Sequence, residues 1–385
     1  MDFELSEELK MIQSLARDFV EGQLKPLERD ILGRAADLSD ARAYLPAAKE
    51  AELVKMVRDM GLWGAGIPEE LGGVGLSSLG VCLVEEELAR TVIPFHFGDV
   101  TPILFDCSKK QREKFLLPAI NNDKRPYLAL MENDRSADLS GLKMKAEKVD
   151  GHYLLNGKKL SFSRKNDDYF AVVFAAAESG ITCFLVDKET PGFTVSSSEE
   201  KTGWLTQLRE PLSLVFQDCR VSKGNLLGEE GKAFYLGRKW LPQRRIVRGA
   251  RCVGITCRLL DEASARAQSA ETFGQPVRGR ASVQAALAEI AMNIHAARLM
   301  VYEAAGRADA VKSIYREAAM VKLFTTRMVR AAADQVAHIF NGPPYIDGLS
   351  VGRLCRHALE ASLSEIALEK QRSIIAMDVL KGLKV

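Results

Sequence analysis

A strong net charge is missing from this chain. Its 53 Lys and Arg stand against 51 Asp and Glu, a formal charge of +2 over 385 residues. A field so weak points to neither nucleic acid nor an anionic membrane as a partner. Cysteines in metal or redox spacing are missing as well. The seven, at positions 82, 107, 183, 219, 252, 257 and 355, form no CxxC pair and read as reduced, mostly buried thiols of a cytoplasmic protein. Five scattered histidines argue against a His-built metal centre. No apolar run approaches the length of a membrane span. The N-terminus, MDFELSEELKMIQ, is acidic and amphipathic rather than a basic-then-apolar leader. Internal repeats and low-complexity tracts are absent. The chain is 47% hydrophobic and 27% charged, ordinary for a globular protein, and long enough for two or three domains with sizeable cores.

Hydrophobic periodicity divides the chain in three. Residues 3–30 carry Phe3, Leu5, Leu9, Ile12, Leu15, Phe19 and Val20 near helical spacing, with Ser6-Glu7-Glu8 as a start signal. Further helices are expected at about 44–60, 78–91 and 109–116, around a glycine-rich turn at 61–77. Short β-type runs follow: 127–131, 152–157, 169–176, 181–187, 193–195 and 212–216, separated by turn signals such as Asp150-Gly151, Asn156-Gly157 and Ser179-Gly180. Spacing this short leaves no room for crossover helices and predicts an antiparallel sheet or barrel. Helical texture then returns at about 232–270, 280–306, 312–341 and 351–383, where Leu287, Ile290, Ala291, Ile294, Ala297 and Val301 form one apolar stripe. The expectation is a mostly α, α+β chain: helical domain 1–122, middle β-domain 123–230, C-terminal four-helix bundle 231–385.

One carboxylate draws notice in the last helix. Glu365 sits between Leu363 and Ile366, with Glu369 about one turn on and Arg372 about two. Charge patterning alone reads it as a solvated surface group. Upstream, Asn341-Gly342-Pro343-Pro344 must redirect the chain. Arginine is dense at the start of the bundle, where Arg244, Arg248 and Arg251 share a face by i, i+4, i+7 spacing. That stripe is either solvated or set to meet phosphates or a carboxylated substrate.

The three-part order and the sequences at its seams resemble the acyl-CoA dehydrogenase family over essentially the whole chain. IPEELGGVGLS (67–77) is similar to the family's Pro-Glu-x-x-Gly-Gly-x-Gly turn, and residues 129–159 to its flavin-contacting β-domain entry. GNLLGEEGKAF (224–234), TFGQPV (272–277), AARLMVYEAA (296–305) and RLCRHA (353–358) align in order. The resemblance implies FAD-dependent α,β-dehydrogenation of an acyl-CoA thioester. In the family a carboxylate takes the Cα proton and flavin takes hydride from Cβ. That base often lies twelve residues after the first Arg of Arg-x-x-Arg; from Arg353 the count ends on Glu365, which the resemblance makes the catalytic base. The family's other base position is Arg244 here, which cannot serve.

The same resemblance maps cofactor contacts onto Met131, Ser136, Ser163, Phe273, His338, Asn341, Gly342 and Ala367, and phosphate or substrate contacts onto Arg244 and Arg248. Several depart from the family pattern. Met131 stands for a Thr, Ser136-Ala137 for Gly-Ser, Ser161 for a flavin-packing Trp, and Ser163 keeps a hydroxyl at a Thr position. Ala270 stands for an Arg, His338 for a Gln, Asn341-Gly342-Pro343-Pro344 for Gly-Gly-x-Gly, and Ile366-Ala367 for Gly-Thr. Together these predict weakened or asymmetric flavin binding. The implied partners are an acyl-CoA substrate, an electron-transfer flavoprotein as acceptor, and a homo- or hetero-oligomer, dimer or tetramer. The alternative is a flavin-poor partner subunit of a heteromeric acyl-CoA dehydrogenase. Flavin-dependent N- or S-oxygenation is a third reading, disfavoured by a base at 365.

Overall fold

The computed structural model describes residues 4–34, 45–132, 141–163, 167–197, 210–272, 274–310, 312–341, 350–363 and 368–382. The chain opens with helices α1 (Glu7–Phe19), α2 (Lys25–Arg34), α3 (Ala47–Asp59) and α4 (Ser78–Leu88). Short helices α5 (Lys109–Gln111) and α6 (Leu117–Ile120) lead to strands β1 (Arg125–Ala129), β2 (Lys145–Val149), β3 (His152–Ser163), β4 (Tyr169–Ala177), β5 (Gly180–Asp187), β6 (Phe193–Ser197), β7 (Glu210–Ser222) and β8 (Leu226–Leu227). Then come α7 (Leu241–Ser269), the two-residue pair β9 (Glu271–Thr272) and β10 (Gln275–Pro276), α8 (Ala281–Asp309), α9 (Tyr315–Phe340), α10 (Ser350–Leu363) and α11 (Leu368–Leu380).

Ser6 caps α1 as its position predicts, its Oγ accepting from Leu9 N at 3.3 Å. The helix expected over 3–30 is in three pieces, because a five-residue π segment, Val20–Leu24, separates α1 from α2. A second π segment, Arg112–Leu116, precedes α6. Each stands just before a proline, Pro26 or Pro118, which cannot donate to the carbonyl four residues back, so the ladder widens there. Of the last helix expected, 351–383, the described residues are helical on both sides of 364–367, as α10 and α11.

Two compact units divide the chain: residues 1–62, 76–97 and 241–385 form one, residues 63–75 and 98–240 the other. In the second, the strands lie in the order β6-β7-β3-β2-β4-β5-β8, with β1 also beside β4. β4 is buried on both sides. Phe170, Val172 and Phe174 join a core with Leu104, Phe115 and Leu185, while Ala171, Val173 and Ala175 join another with Tyr127, Phe184 and Leu214. A strand covered on both faces reads as a continuous apolar run rather than an alternation, and YFAVVFAA does. Each buried Phe contributes about 1.5–3 kcal/mol.

Two expectations are corrected in this unit. The sheet is not wholly antiparallel: β1 runs parallel to β4 (Arg125↔Tyr169 to Ala129↔Val173), and β2 meets β4 in parallel at Lys145↔Ala176. Asn156-Gly157 is not a turn but a bulge within β3. The Asn156 amide exchanges hydrogen bonds with Asp218 across the bulge, at 3.2 and 2.8 Å. Gly157 lies at φ 150, where a Cβ would come 2.9 Å from Met144 Cγ. Asp150-Gly151 does turn the chain, both residues at positive φ between β2 and β3.

The first unit packs α7, α8, α9 and α10 around one apolar core that includes Ile246, Val253, Ile290, Val301, Val329, Val336 and Leu354. α4 lies against α7 closely enough that a Cβ on Gly254 would come 2.0 Å from the Glu86 carbonyl oxygen. Three successive carboxylates of α4 each hold a cation of a different helix. Glu85 pairs with Arg251 of α7, Glu86 with Arg298 of α8 at 2.7 Å, and Glu87 with Arg17 of α1 at 2.6 Å.

Candidate active site

In the sheet unit, the family's β-domain entry comes down to one clamp. Lys159 on β3 is wholly buried and donates to the Glu132 carboxylate at 2.8 Å and to the Leu130 carbonyl at 3.2 Å. The same carboxylate accepts from the backbone N–H groups of Lys143 and Met144, each at 2.9 Å. Burial works to raise the Glu132 pKa, but the Lys159 ammonium and the two backbone donors outweigh it and hold the carboxyl below its usual 4.5. Next to the clamp, Met131 bridges Leu160 in antiparallel register and leaves its side chain 40% exposed. Ser161 is buried, and Ser163, half-buried, ends β3. An exposed thioether and a serine hydroxyl suit a flat ring with one apolar face and a polar edge, so this part of the chain fits a flavin.

In the bundle unit, cations gather on the inner sides of α7, α9 and α10. Arg245, at 3% exposure, lies over the Tyr315 ring at 5.6 Å. Lys322 and Arg353 are also buried. Arg244 and Arg248, chosen from their spacing, are only half-buried. The buried arginine is thus not in the stripe but beside it, and its position carried the signal: Arg245 stands four residues before Gly249 and seven before Cys252, on α7's buried face. His357, one turn after Arg353, is pushed down to about 3 first by burial and then by Arg353, Arg251 and Arg356. It is thus neutral across the physiological range.

That depression has a sign. Below pH 6.5, its ordinary value, the unfolded imidazole takes up a proton that the folded one refuses. Stability then falls with pH by about 1.4 kcal/mol per unit from this group alone. His357→Gln is expected to flatten the stability curve between about pH 6.5 and 5, read by urea denaturation. An unchanged slope would contradict the burial of this imidazole among the arginines.

Of the remaining expected contacts, His338 and Asn341 are exposed at the end of α9, Asn341 in the left-handed conformation at φ 52. Ala270 is packed into the bundle core at 7% exposure, so no cation reaches a phosphate from that position. Glu365, Ser136, Phe273, Gly342 and Ala367 lie outside the described residues. Glu132, Lys159 and Arg245 are the residues that spacing alone did not single out.

Comparison with known proteins agrees along the whole chain. Residues 6–123 match the family model of the acyl-CoA dehydrogenase N-terminal domain, 128–218 that of the middle domain and 232–380 that of the C-terminal domain. The mitochondrial short-chain specific acyl-CoA dehydrogenase of Mus musculus is 31% identical, over 98% of this chain and 92% of that one. Isobutyryl-CoA dehydrogenase of Dictyostelium discoideum is 32% identical, over 98% and 90%. Among solved structures, butyryl-CoA dehydrogenase from Megasphaera elsdenii superposes with a TM-score of 0.82 at 29% identity, over 99% of this chain and 100% of that one.

Proposed function

We propose an activity on the premise that this chain belongs to the acyl-CoA dehydrogenase family: α,β-dehydrogenation of an acyl-CoA thioester. The chain is an oxidoreductase of that class, and the full-length match to enzymes of that name carries the reading. FAD, when bound, supplies the two-electron acceptor for the hydride that leaves Cβ. Glu365 takes the Cα proton. The Ser163 hydroxyl and Met131 hold the ring, and the Glu132–Lys159 clamp fixes the backbone on which Met131 sits. Arg244 and Arg248 serve the phosphates or a substrate carboxylate. An electron-transfer flavoprotein is the acceptor, and the working form is a cytoplasmic oligomer, dimer or tetramer. No described helix is long and apolar enough to cross a membrane.

The test is the flavin-to-protein ratio of the chain purified alone, followed by anaerobic addition of butyryl-CoA and isobutyryl-CoA. Bleaching of the flavin band supports the reading; yellow protein that no acyl-CoA bleaches refutes it. A second reading, the flavin-poor partner subunit of a heteromeric enzyme, is favoured by Ala270, buried in the core where the family carries an arginine. It requires colourless protein alone and flavin on co-expression with a second family member, and a fully flavinated homo-oligomer would sink it.

A further inference from the structure

At the end of the sheet unit where β1 and β4 begin and β5 stops, charged side chains surround a cavity of about 540 Å³. Lys124 precedes β1, Asp168 precedes β4, and Asp187 ends β5 with Lys188 directly after it. Lys114 reaches the same cavity from the π segment Arg112–Leu116. Two carboxylates set out the three ammonium groups. Asp187 Oδ2 faces Lys124 Nζ at 3.3 Å and Lys114 Nζ at 3.4 Å, while Asp168 Oδ1 faces Lys188 Nζ at 3.5 Å and Lys124 Nζ at 4.0 Å. Charge-assisted bonds close to about 2.7–2.9 Å where the groups can meet, as Lys159 does on Glu132 at 2.8 Å. Here the groups stand back from one another around the cavity, and Asp168 Oδ1 makes no hydrogen bond. Glu189 is 82% exposed and 3.9 Å from Lys188, so water and salt screen it. The inner ring therefore sets three cations against two anions, with ammonium donors left over.

The ring is held from behind. Burial acts to raise the Asp187 pKa, but Lys124 and Lys114 outweigh it and hold the carboxyl below its usual 3.8, so it stays ionised. The Asp187 carbonyl accepts from Thr190 N and the Asp168 carbonyl from Arg125 N, each at 3.0 Å. Lys188 Nζ donates to the Asp167 carbonyl at 3.0 Å. Next to Lys114, Phe115 packs on Phe170 with centroids 5.0 Å apart. A bare oxyanion would meet these cations at one point and leave most of the cavity to water. A nucleotide would find no aromatic ring to stack on among the described lining residues. A small molecule with two or three carboxylates spreads its charge as the lysines spread theirs, and the volume falls within the range of small-molecule sites, about 300–1,000 Å³.

We propose that this cavity binds a small di- or tricarboxylate, whose carboxylates meet Lys114, Lys124 and Lys188. Asp187 and Asp168 do not touch the ligand but hold the three ammonium groups in place for it. The site lies wholly within the sheet unit and does not rest on the dehydrogenase reading.

Calorimetric titration of the full chain, as purified, with citrate tests the site, with inorganic phosphate and free coenzyme A as separate arms. Citrate is expected to bind, less tightly as salt is raised, and about tenfold more weakly in Lys188→Gln. Asp168→Asn removes a carboxylate that repels the ligand, so it is expected to bind citrate more tightly than the parent. A damaged fold could not produce that gain. Absent citrate binding overturns the site, as does phosphate binding as tight as that of citrate, displacement of citrate by coenzyme A, or an affinity that neither variant changes. Citrate binding that follows the two variants supports the site whether or not any acyl-CoA bleaches the flavin.

Discussion

Glu365→Gln is expected to slow acyl-CoA-driven flavin bleaching by about 10²–10⁴-fold, with flavin content unchanged. The amide keeps the size and shape of the carboxyl but cannot take up the Cα proton, so the loss falls on the chemical step and not on folding. The two readings of Glu365 separate cleanly here. A solvated surface carboxylate has no part in the reaction, and its replacement would leave the bleaching rate within experimental error. A second signature is the pH profile. A base must be ionised to act, so the rate in the unaltered protein should rise with pH through the base's pKa, and that rising limb should vanish in the variant. Stopped-flow absorbance on the flavinated assembly reads both. A wild-type rate in Glu365→Gln refutes the assignment, and the search then moves off α10 and α11.

Lys159→Ala should be the most destabilising single change in the sheet unit, at about 3–5 kcal/mol. The ammonium is wholly buried, and the Glu132 side chain facing it is only 10% exposed. Removing the lysine leaves an ionised carboxylate held by two backbone N–H groups alone, together with a cavity the length of the lost side chain. Glu132→Gln in the same background should recover part of the loss, because the stranded charge goes with it; a double-mutant cycle by urea denaturation measures that coupling. Acid should act the same way. Glu132 titrates below 4.5 in the fold, so its contribution is complete above that value and is lost as the pH falls through the lower folded pKa. A Lys159→Ala protein as stable as the parent would mean that the pair does not form.

The three-part order was legible because hydrophobic period is a local property: it changes from helical to alternating near residue 125 and back after 231. The base position was legible only through resemblance, since one carboxylate between two apolar residues has no pattern of its own. Lys159 and Glu132 escaped because they are 27 residues apart, and a lysine in a strand reads as solvent-facing until its partner is seen. Arg245 escaped because spacing groups arginines with one another, whereas burial groups this one with Gly249 and Cys252. Asn156-Gly157 has the composition of a hairpin turn and serves instead as a bulge, a choice made by Asp218 on the neighbouring strand. Each miss involves a partner distant in sequence or a neighbouring element, which local pattern cannot supply.

The run Glu85-Glu86-Glu87 has one more implication. Consecutive residues on a helix point about 100° apart, so these three carboxylates look in three directions and engage α7, α8 and α1 together. Rotating α4 by a single residue would draw every one of them off its cation at the same moment. α4 therefore works like a key with three teeth: it seats in one orientation or not at all. The azimuth of α7, and with it the placement of Arg244, Arg245 and Arg248, is locked by a helix that carries none of the candidate site residues.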